Sequence, residues 1–303
     1  MGQTDYKPTE ETRQLWKIQL EACVVLLDYC RNNNLKIWAG FGTLLGAARH
    51  GGFVPWDDDV DFVMMRQDYD VLMRMVKSGS VAFPEPYAFD DKDISVLRLR
   101  RNDTTMTIPY YRWGESFNNG VWLDIFPLDA APEEITPDIE KEYKKLSFKV
   151  RGYQNARWGK YAYCISLRNY AVHSFWKMLF TFVNIYKWRD TIENHLRFER
   201  GRFSGDYLWN WLCLGQLKDA SKIARYKKEW FNDTVMLPFE DIDMPCPVGW
   251  KHILELQYGD WQTPIMGSSL HEGAEFIPNK PYKDYIEEKL REMSWWQRFK
   301  HTH

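Results

Sequence analysis

Paired metal-binding cysteines are absent from this 303-residue sequence: its five cysteines, at positions 23, 30, 164, 213 and 246, make no CxxC pair and no zinc-ligand spacing. That excludes a disulfide framework and a zinc-finger type of site, and an odd count without pairing points to a reducing compartment. Cys23 and Cys30 stand seven apart on a predicted helix, so they share a face and are expected as buried thiols. Net charge is scarce too, with 40 Lys and Arg against 42 Asp and Glu and a formal charge of -2. No basic field exists to collect nucleic acid, which is excluded as the main partner. Long apolar runs are missing: the longest, Met178 to Tyr186, is bracketed by Lys177 and Lys187 and falls short of the ~20 residues a spanning helix needs. The opening MGQTDYKPTEETRQ lacks the apolar core of a secretory signal, and Tyr6 stands where N-myristoylation wants Ser or Thr. A cytoplasmic location is the expectation.

Aromatic side chains, by contrast, make up 16% of the chain, with 15 Trp. Thr9 reads as the N-cap of a helix with Glu10 and Glu11 at its positive end and Leu15, Ile18, Ala22, Val25 and Leu26 at helical spacing. Leu35 to Ala39 reads as a short strand, residues 40–43 as a tight turn, and Leu44 to Arg49 as a small helix. Asp59 to Met64 alternates as a second strand, which puts Asp59 and Asp61 on one side and turns Asp58 away. A helix over Asp68 to Val76 follows, then strands over Val96 to Arg101, Thr105 to Tyr111 and Val121 to Phe126 of the same sheet, an α+β pattern. Residues 132–230 read as mainly helical, Pro245 and Pro247 as bends, Gly249 to Tyr258 as a helix, and Tyr282 to Arg298 as a charged amphipathic helix. Trp176, Lys177, Phe180, Phe182, Lys187 and Trp188 form an aromatic and basic stretch that fits either peripheral contact at the inner face of a membrane or an internal packing face.

The chemistry concentrates in the run from Gly40 to Asp61, where Asp57, Asp58, Asp59 and Asp61 crowd within five positions. Such carboxylates repel one another, and a hard divalent cation, Mg²⁺ or Mn²⁺, removes the conflict. Asp57, Asp59, Asp61 and Asp68 match EF-hand ligand positions, but Phe62 occupies the place where that loop needs Gly. A phosphatase with Asp59 as nucleophile would follow an apolar strand, whereas Trp56, Asp57 and Asp58 precede it here. A nucleotidyltransferase site needs a Gly-Thr turn whose backbone N–H groups grip phosphate, then Asp-x-Asp, then a carboxylate from a later strand. Gly42 and Thr43, Asp59 and Asp61, and Asp124 meet that description. Asp57 completes the candidate ligand set, and Asp124 is open to either metal binding or accepting the acceptor's proton. Arg49 and His50 are candidates for the donor diphosphate or cations at a helix C-terminus; Arg98 and Arg100, alternating on one strand face, are further phosphate candidates.

The stretch GTLLGAARHGGFVPWDDDVDFVM from Gly42, together with LDIFPLD at Leu123 to Asp129 and YGDW at Tyr258 to Trp261, resembles the LicD family, which includes the fukutin-related phosphotransferases. The resemblance covers residues 12–266, with a sheet core at about 35–130, a helical section at about 132–230 and a C-terminal element at about 237–266; residues 267–303 are an extension carrying the amphipathic helix. It implies a nucleotidyltransferase-like mixed sheet with flanking helices. It further implies transfer of a phospho-alcohol such as phosphocholine from a CDP-activated alcohol to a cell-surface glycan or lipid-linked glycan, with CMP leaving. An aspartyl-phosphate phosphatase and a noncatalytic metal- or glycan-binding module on the same fold are the rival readings.

Overall fold

A computed structural model describes residues 6–80, 83–93, 96–108, 113, 117–158, 171–172, 174–175, 178–179, 182, 184–198, 203, 205–210, 224–266, 274–295 and 297–298. Helix α1 (Glu10–Asn32) begins as its sequence demands: the Thr9 hydroxyl accepts the Thr12 backbone N–H, and Glu10 and Glu11 occupy the first turn. Its inner face buries Leu15, Ile18, Ala22, Cys23, Leu26 and Cys30. Cys23, Cys30 and Cys246 are free, buried thiols whose pKa values burial pushes up, as far as about 12 for Cys30 and Cys246, so they are inert. Cys164 and Cys213 lie outside the described residues.

Strand β1 is shorter than predicted, Trp38–Ala39, and the helix after it is longer: α2 spans Phe41–His50, so Gly42 and Thr43 belong to its first turn rather than to a preceding loop. Phe41 at φ 42° makes the bend between the two, an uncommon value for an aromatic residue, and its ring meets Phe126 edge-on. Gly51 at φ 63° closes α2 in the left-handed conformation that glycine adopts freely. Strand β2 is Asp61–Met65, leaving Asp59 in the loop before it. Helix α3 (Arg66–Ser78) leads to β3 (Tyr87–Asp90), which the sequence did not signal, and then to β4 (Leu97–Arg101), β5 (Thr105–Thr107) and β6 (Val121–Ala131).

The main sheet runs β1-β2-β6-β4-β3, with β2 and β6 parallel and the other neighbours antiparallel. Two expectations are corrected here. Strand β5 is not in this sheet; it pairs with β11 (Glu275–Ile277). The section between α4 (Pro137–Trp158) and the C-terminal element is not wholly helical: after α5 (Ile185–Phe198), strands β7 (Tyr207–Trp209) and β8 (Tyr226–Lys227) extend the sheet along the last three residues of β6. Eleven-residue β6 can serve both halves because nearly every position along it is buried.

Pro245 and Pro247 lie in strand β10 (Ile242–Pro247), paired with β9 (Thr234–Phe239) in a two-stranded ribbon, rather than in bends. A strand with an open edge tolerates the missing N–H. Helix α6 (Trp250–Tyr258) follows as predicted, and α7 (Tyr282–Glu292) ends at an extended Met293, short of Arg298. No helix among the described residues is long and apolar enough to cross a membrane. Of the aromatic and basic stretch, Trp176, Lys177 and Phe180 fall outside the described residues.

Candidate functional site

Strand register draws acidic side chains from distant segments into one row. Asp61 of β2 pairs with Asp124 of β6, Asp124 pairs with Arg98 of β4, and Arg98 pairs with Asp90 of β3. Opposed residues of neighbouring strands share a sheet face, so Asp61, Asp124 and Arg98 stand side by side. Arg98 Nε lies 2.7 Å from Asp124 Oδ1 and its Nη1 is 3.0 Å from Asp93, while the Trp122 indole N–H donates to Asp124 Oδ2 at 3.1 Å. Asp124 is thereby fixed through both oxygens.

The loop before β2 adds three more carboxylates. One oxygen each from Asp57, Asp58 and Asp59 lies within 4.8 Å of the others, so Asp58 does not turn away. Strand alternation fails here because the loop is curled by contacts from elsewhere. The Trp16 indole N–H donates to Asp57 O and the Gln19 amide to Asp58 O, each at 2.9 Å, with the Trp16 ring stacked on Phe53. Nothing in the local sequence marks Trp16 and Gln19 for this task beyond their place on the inner face of α1.

Helix α2 packs its N-terminus against the same loop. The Thr43 hydroxyl accepts the Asp61 backbone N–H at 2.9 Å, so this side chain positions the acidic strand. The helix ladder begins with Leu44 N donating to Gly40 O, which leaves the N–H groups of Phe41, Gly42 and Thr43 ahead of it at the positive end of the dipole. Gly42 has no room for a side chain: a Cβ there would stand 2.4 Å from Asp57 Oδ2. Gly42→Ala is therefore expected to leave thermal stability almost unchanged, since the clashing atom ends a movable side chain and Ala favours helix. It should nonetheless weaken divalent-metal binding about tenfold by displacing Asp57, a difference calorimetric titration would read.

The carboxylates hold protons unusually well. Burial, then Asp59 and Asp58, push Asp57 up to about 8; burial, then Asp58 and Asp124, push Asp59 up to about 7. Asp61 is raised well above the carboxylate range by burial and by Asp59, Asp124 and Asp57, with Arg98 opposing. Repulsion of this kind among hard oxygen donors is what a divalent cation relieves, and Asp57, Asp58 and Asp59 set one oxygen each close enough to share an ion, with Asp61 and Asp124 on the adjoining strands.

Beside the acids opens a cleft of about 480 Å³ bounded by Gly42, Arg49, Trp56, Asp57, Tyr258 and Trp261. The last turn of α2 is tied to it: Arg49 Nη1 donates to Trp261 O at 2.9 Å and its Nε to His50 at 2.9 Å. Partial burial, then Arg49, lowers the His50 pKa, and His50 is not among the residues that line the cleft. Tyr258 lies within electrostatic reach of Asp61, Asp57 and Asp59, and burial and these charges raise its hydroxyl above the usual range. The motif around it was visible in the sequence, but its place in one cleft with Asp57 was not. Arg100, expected to meet phosphate, is instead fully buried: it bonds to Gly120 O at 3.0 Å, lies 3.5 Å from Asp90 and stacks on Trp122. An arginine so enclosed is not brought to the cleft.

Residues 34–163 match the family described as LicD/FKTN/FKRP, nucleotidyltransferase domain. The chain is 47% identical over 51 residues to the lipopolysaccharide cholinephosphotransferase LicD of Haemophilus influenzae, covering 16% of this chain and 19% of that protein. It is 30% identical over 151 residues to an uncharacterized protein of Rickettsia prowazekii, 43% of this chain and 51% of that one. Against the ribitol 5-phosphate transferase FKRP of Mus musculus it is 27% identical over 113 residues, 37% and 20% respectively. The chain thus spans between about a fifth and about half of the length of these relatives. All the clustered aspartates lie inside the matched stretch, whereas Trp16, Gln19 and Tyr258 lie outside it. The likeness to the LicD family thus rests on residues 34–163, less than half of the chain, and on partial matches to a cholinephosphotransferase and a ribitol 5-phosphate transferase.

Proposed function

We propose that this protein is a cytoplasmic, nucleotidyltransferase-like enzyme that moves phosphocholine or a related phospho-alcohol from a CDP-alcohol to a hydroxyl of a cell-surface or lipid-linked glycan. The reading rests on one observation: carboxylates from a loop and from two parallel strands converge beside a helix N-terminus and a cleft. Asp57, Asp59, Asp61 and Asp124 would hold Mg²⁺ or Mn²⁺, which when bound neutralises charge on the donor diphosphate and stabilises the leaving CMP. The α2 N-terminus offers backbone N–H groups to a phosphate oxygen, and Arg49 places a guanidinium at the cleft wall. Arg98 and Trp122 hold Asp124 in one orientation, so that its carboxylate meets the reacting group without rearranging. Trp56, Tyr258 and Trp261 in the cleft favour a quaternary ammonium, and so choline, through cation–π attraction.

The test offers purified protein CDP-choline, CDP-ethanolamine, CDP-glycerol and CDP-ribitol with glycan acceptors, with and without Mg²⁺ or Mn²⁺, and follows CMP and glycan mass. Metal-dependent CMP release with a matching mass gain on the glycan is expected. A trappable aspartyl phosphate without CMP would replace this reading by the phosphatase, and binding without turnover by the noncatalytic module.

The raised carboxylates set a pH dependence. Asp57 and Asp59 titrate near 8 and 7 when folded, above their ordinary value of 3.8, so a bound metal must displace protons below those values. Affinity is expected to rise toward about tenfold per pH unit per displaced proton between pH 6 and pH 8. Groups with raised folded pKa values stabilise the metal-free fold at low pH, and that stability is lost as pH rises from the ordinary value of 3.8 through about 8. Mg²⁺ should therefore raise Tm more at pH 8 than at pH 6; an equal or smaller shift at pH 8 would contradict the carboxylate site.

A further inference from the structure

Helix α4 presents two differently built faces. Tyr143, Leu146, Val150 and Tyr153 recur at helical spacing and are buried with Ala131, Ile192 and Trp209. Lys141, Lys144, Lys145, Phe148 and Lys149 recur at the same spacing on another face, and all five are exposed. Phe148 keeps 57% of its surface in solvent. With the lysine stems and Trp188 of α5 it lines a shallow groove of about 540 Å³. The Trp188 indole N–H donates to Lys149 O at 3.3 Å, which sets that ring at the rim. Between α4 and α5, Val172, Phe175, Met178 and Phe182 are also exposed, Phe182 by 86%.

We propose that this face docks the protein on an anionic lipid bilayer, with lysine ammonium groups on headgroup phosphates and Phe148 at the acyl boundary. Two properties select that partner. The chain carries a net charge of only -2, yet residues 141–149 of α4 hold four lysines against one acid, Glu142, with Glu140, which pairs with Lys144, at the border. That local positive patch matches a negatively charged surface. The exposed Phe148, the Trp188 ring and the apolar lysine stems match the layer just beneath the headgroups, where amphipathic helices of this composition lie. An acidic protein would answer the charge and leave the ring without a matching apolar layer. No described helix is long and apolar enough to cross a membrane, the contact proposed is a surface one, and it stands independently of the transfer reaction.

The experiment is sedimentation of the full chain with vesicles of phosphatidylcholine alone or mixed with phosphatidylglycerol. Binding to the anionic vesicles only, weakening as salt is added, is expected. The double variant Lys145→Gln with Lys149→Gln should lower the partition coefficient about thirtyfold, the size expected for two lysines at a charged surface. Phe148→Ala should lower it several-fold, and both variants should melt as the parent does. Absence of binding to anionic vesicles at low salt, or equal binding by parent and double variant, overturns the proposal. Binding to polyglutamate but not to vesicles overturns it in favour of an acidic protein partner.

Discussion

Asp61→Asn should yield a folded protein that releases CMP at least about a thousandfold more slowly, because it removes a group around which the site's charge is organised. The same change should stabilise the metal-free protein. Asp61 sits among Asp57, Asp59 and Asp124, and burial with their repulsion raises its pKa far above the ordinary range. A neutral amide of nearly the same shape ends that repulsion, while the Thr43 bond to the Asp61 backbone is untouched. In EDTA the variant should therefore melt at or above the parent, and the Mg²⁺-induced rise in Tm should vanish. Activity within tenfold of the parent, measured by CMP release, would contradict the site; a variant less stable in EDTA would contradict its electrostatics.

Asp129→Ala should have the opposite profile, a large loss of stability with turnover per folded molecule retained. Asp129 is fully buried and takes both its oxygens to Arg66, from Nε at 2.6 Å and from Nη2 at 2.7 Å. Arg66 is 3% exposed and also faces Glu193 at 3.4 Å and Asp70 at 3.6 Å. Breaking a buried pair from one side costs about 3–5 kcal/mol because the remaining charge loses its partner. Glu193 and Asp70 keep some compensation for Arg66, so urea denaturation should read a loss near the lower end. A loss below about 1 kcal/mol would show that the pair contributes little.

Asp124 and Asp129 belong to one seven-residue motif, LDIFPLD, yet they do different work. They are five apart on a single strand, so period two sends them to opposite faces of the sheet. One joins the cluster with Asp61; the other meets Arg66 at the start of α3. The sequence pattern ends this strand at Phe126, short of Asp129, so the separation emerges only with the full length of β6, and the partners come from β2 and α3. The two arginines of β4 show the same limit. Arg98 and Arg100 look equivalent in sequence, and only the surrounding residues enclose Arg100 while setting Arg98 against Asp124.

Errors in element boundaries likewise arose where distant contacts override local pattern. Gly42 and Thr43 read as a turn because glycine is a poor helix former, yet Thr43 binding to Asp61 and the close approach of Gly42 to Asp57 draw both into α2. Pro245 and Pro247 read as bends because proline cannot extend a central ladder, and a two-stranded ribbon escapes that rule. Strand β3, in which every residue is only half-buried, offered no clean alternation to find.

What the sequence by itself determined is the local inventory: a capped α1, an Asp-rich run leading into a strand, a second strand carrying Asp124, and the lack of a long apolar run. These follow from spacing, capping and composition, which act over a few residues. Tertiary structure alone decided which carboxylates share a face, that Trp16 and Gln19 hold the acidic loop, and that Tyr258 shares a cleft with Asp57. The reason is physical: charge repulsion and hydrogen bonding depend on distance in space, and residues nearly two hundred positions apart become neighbours only when the chain has folded.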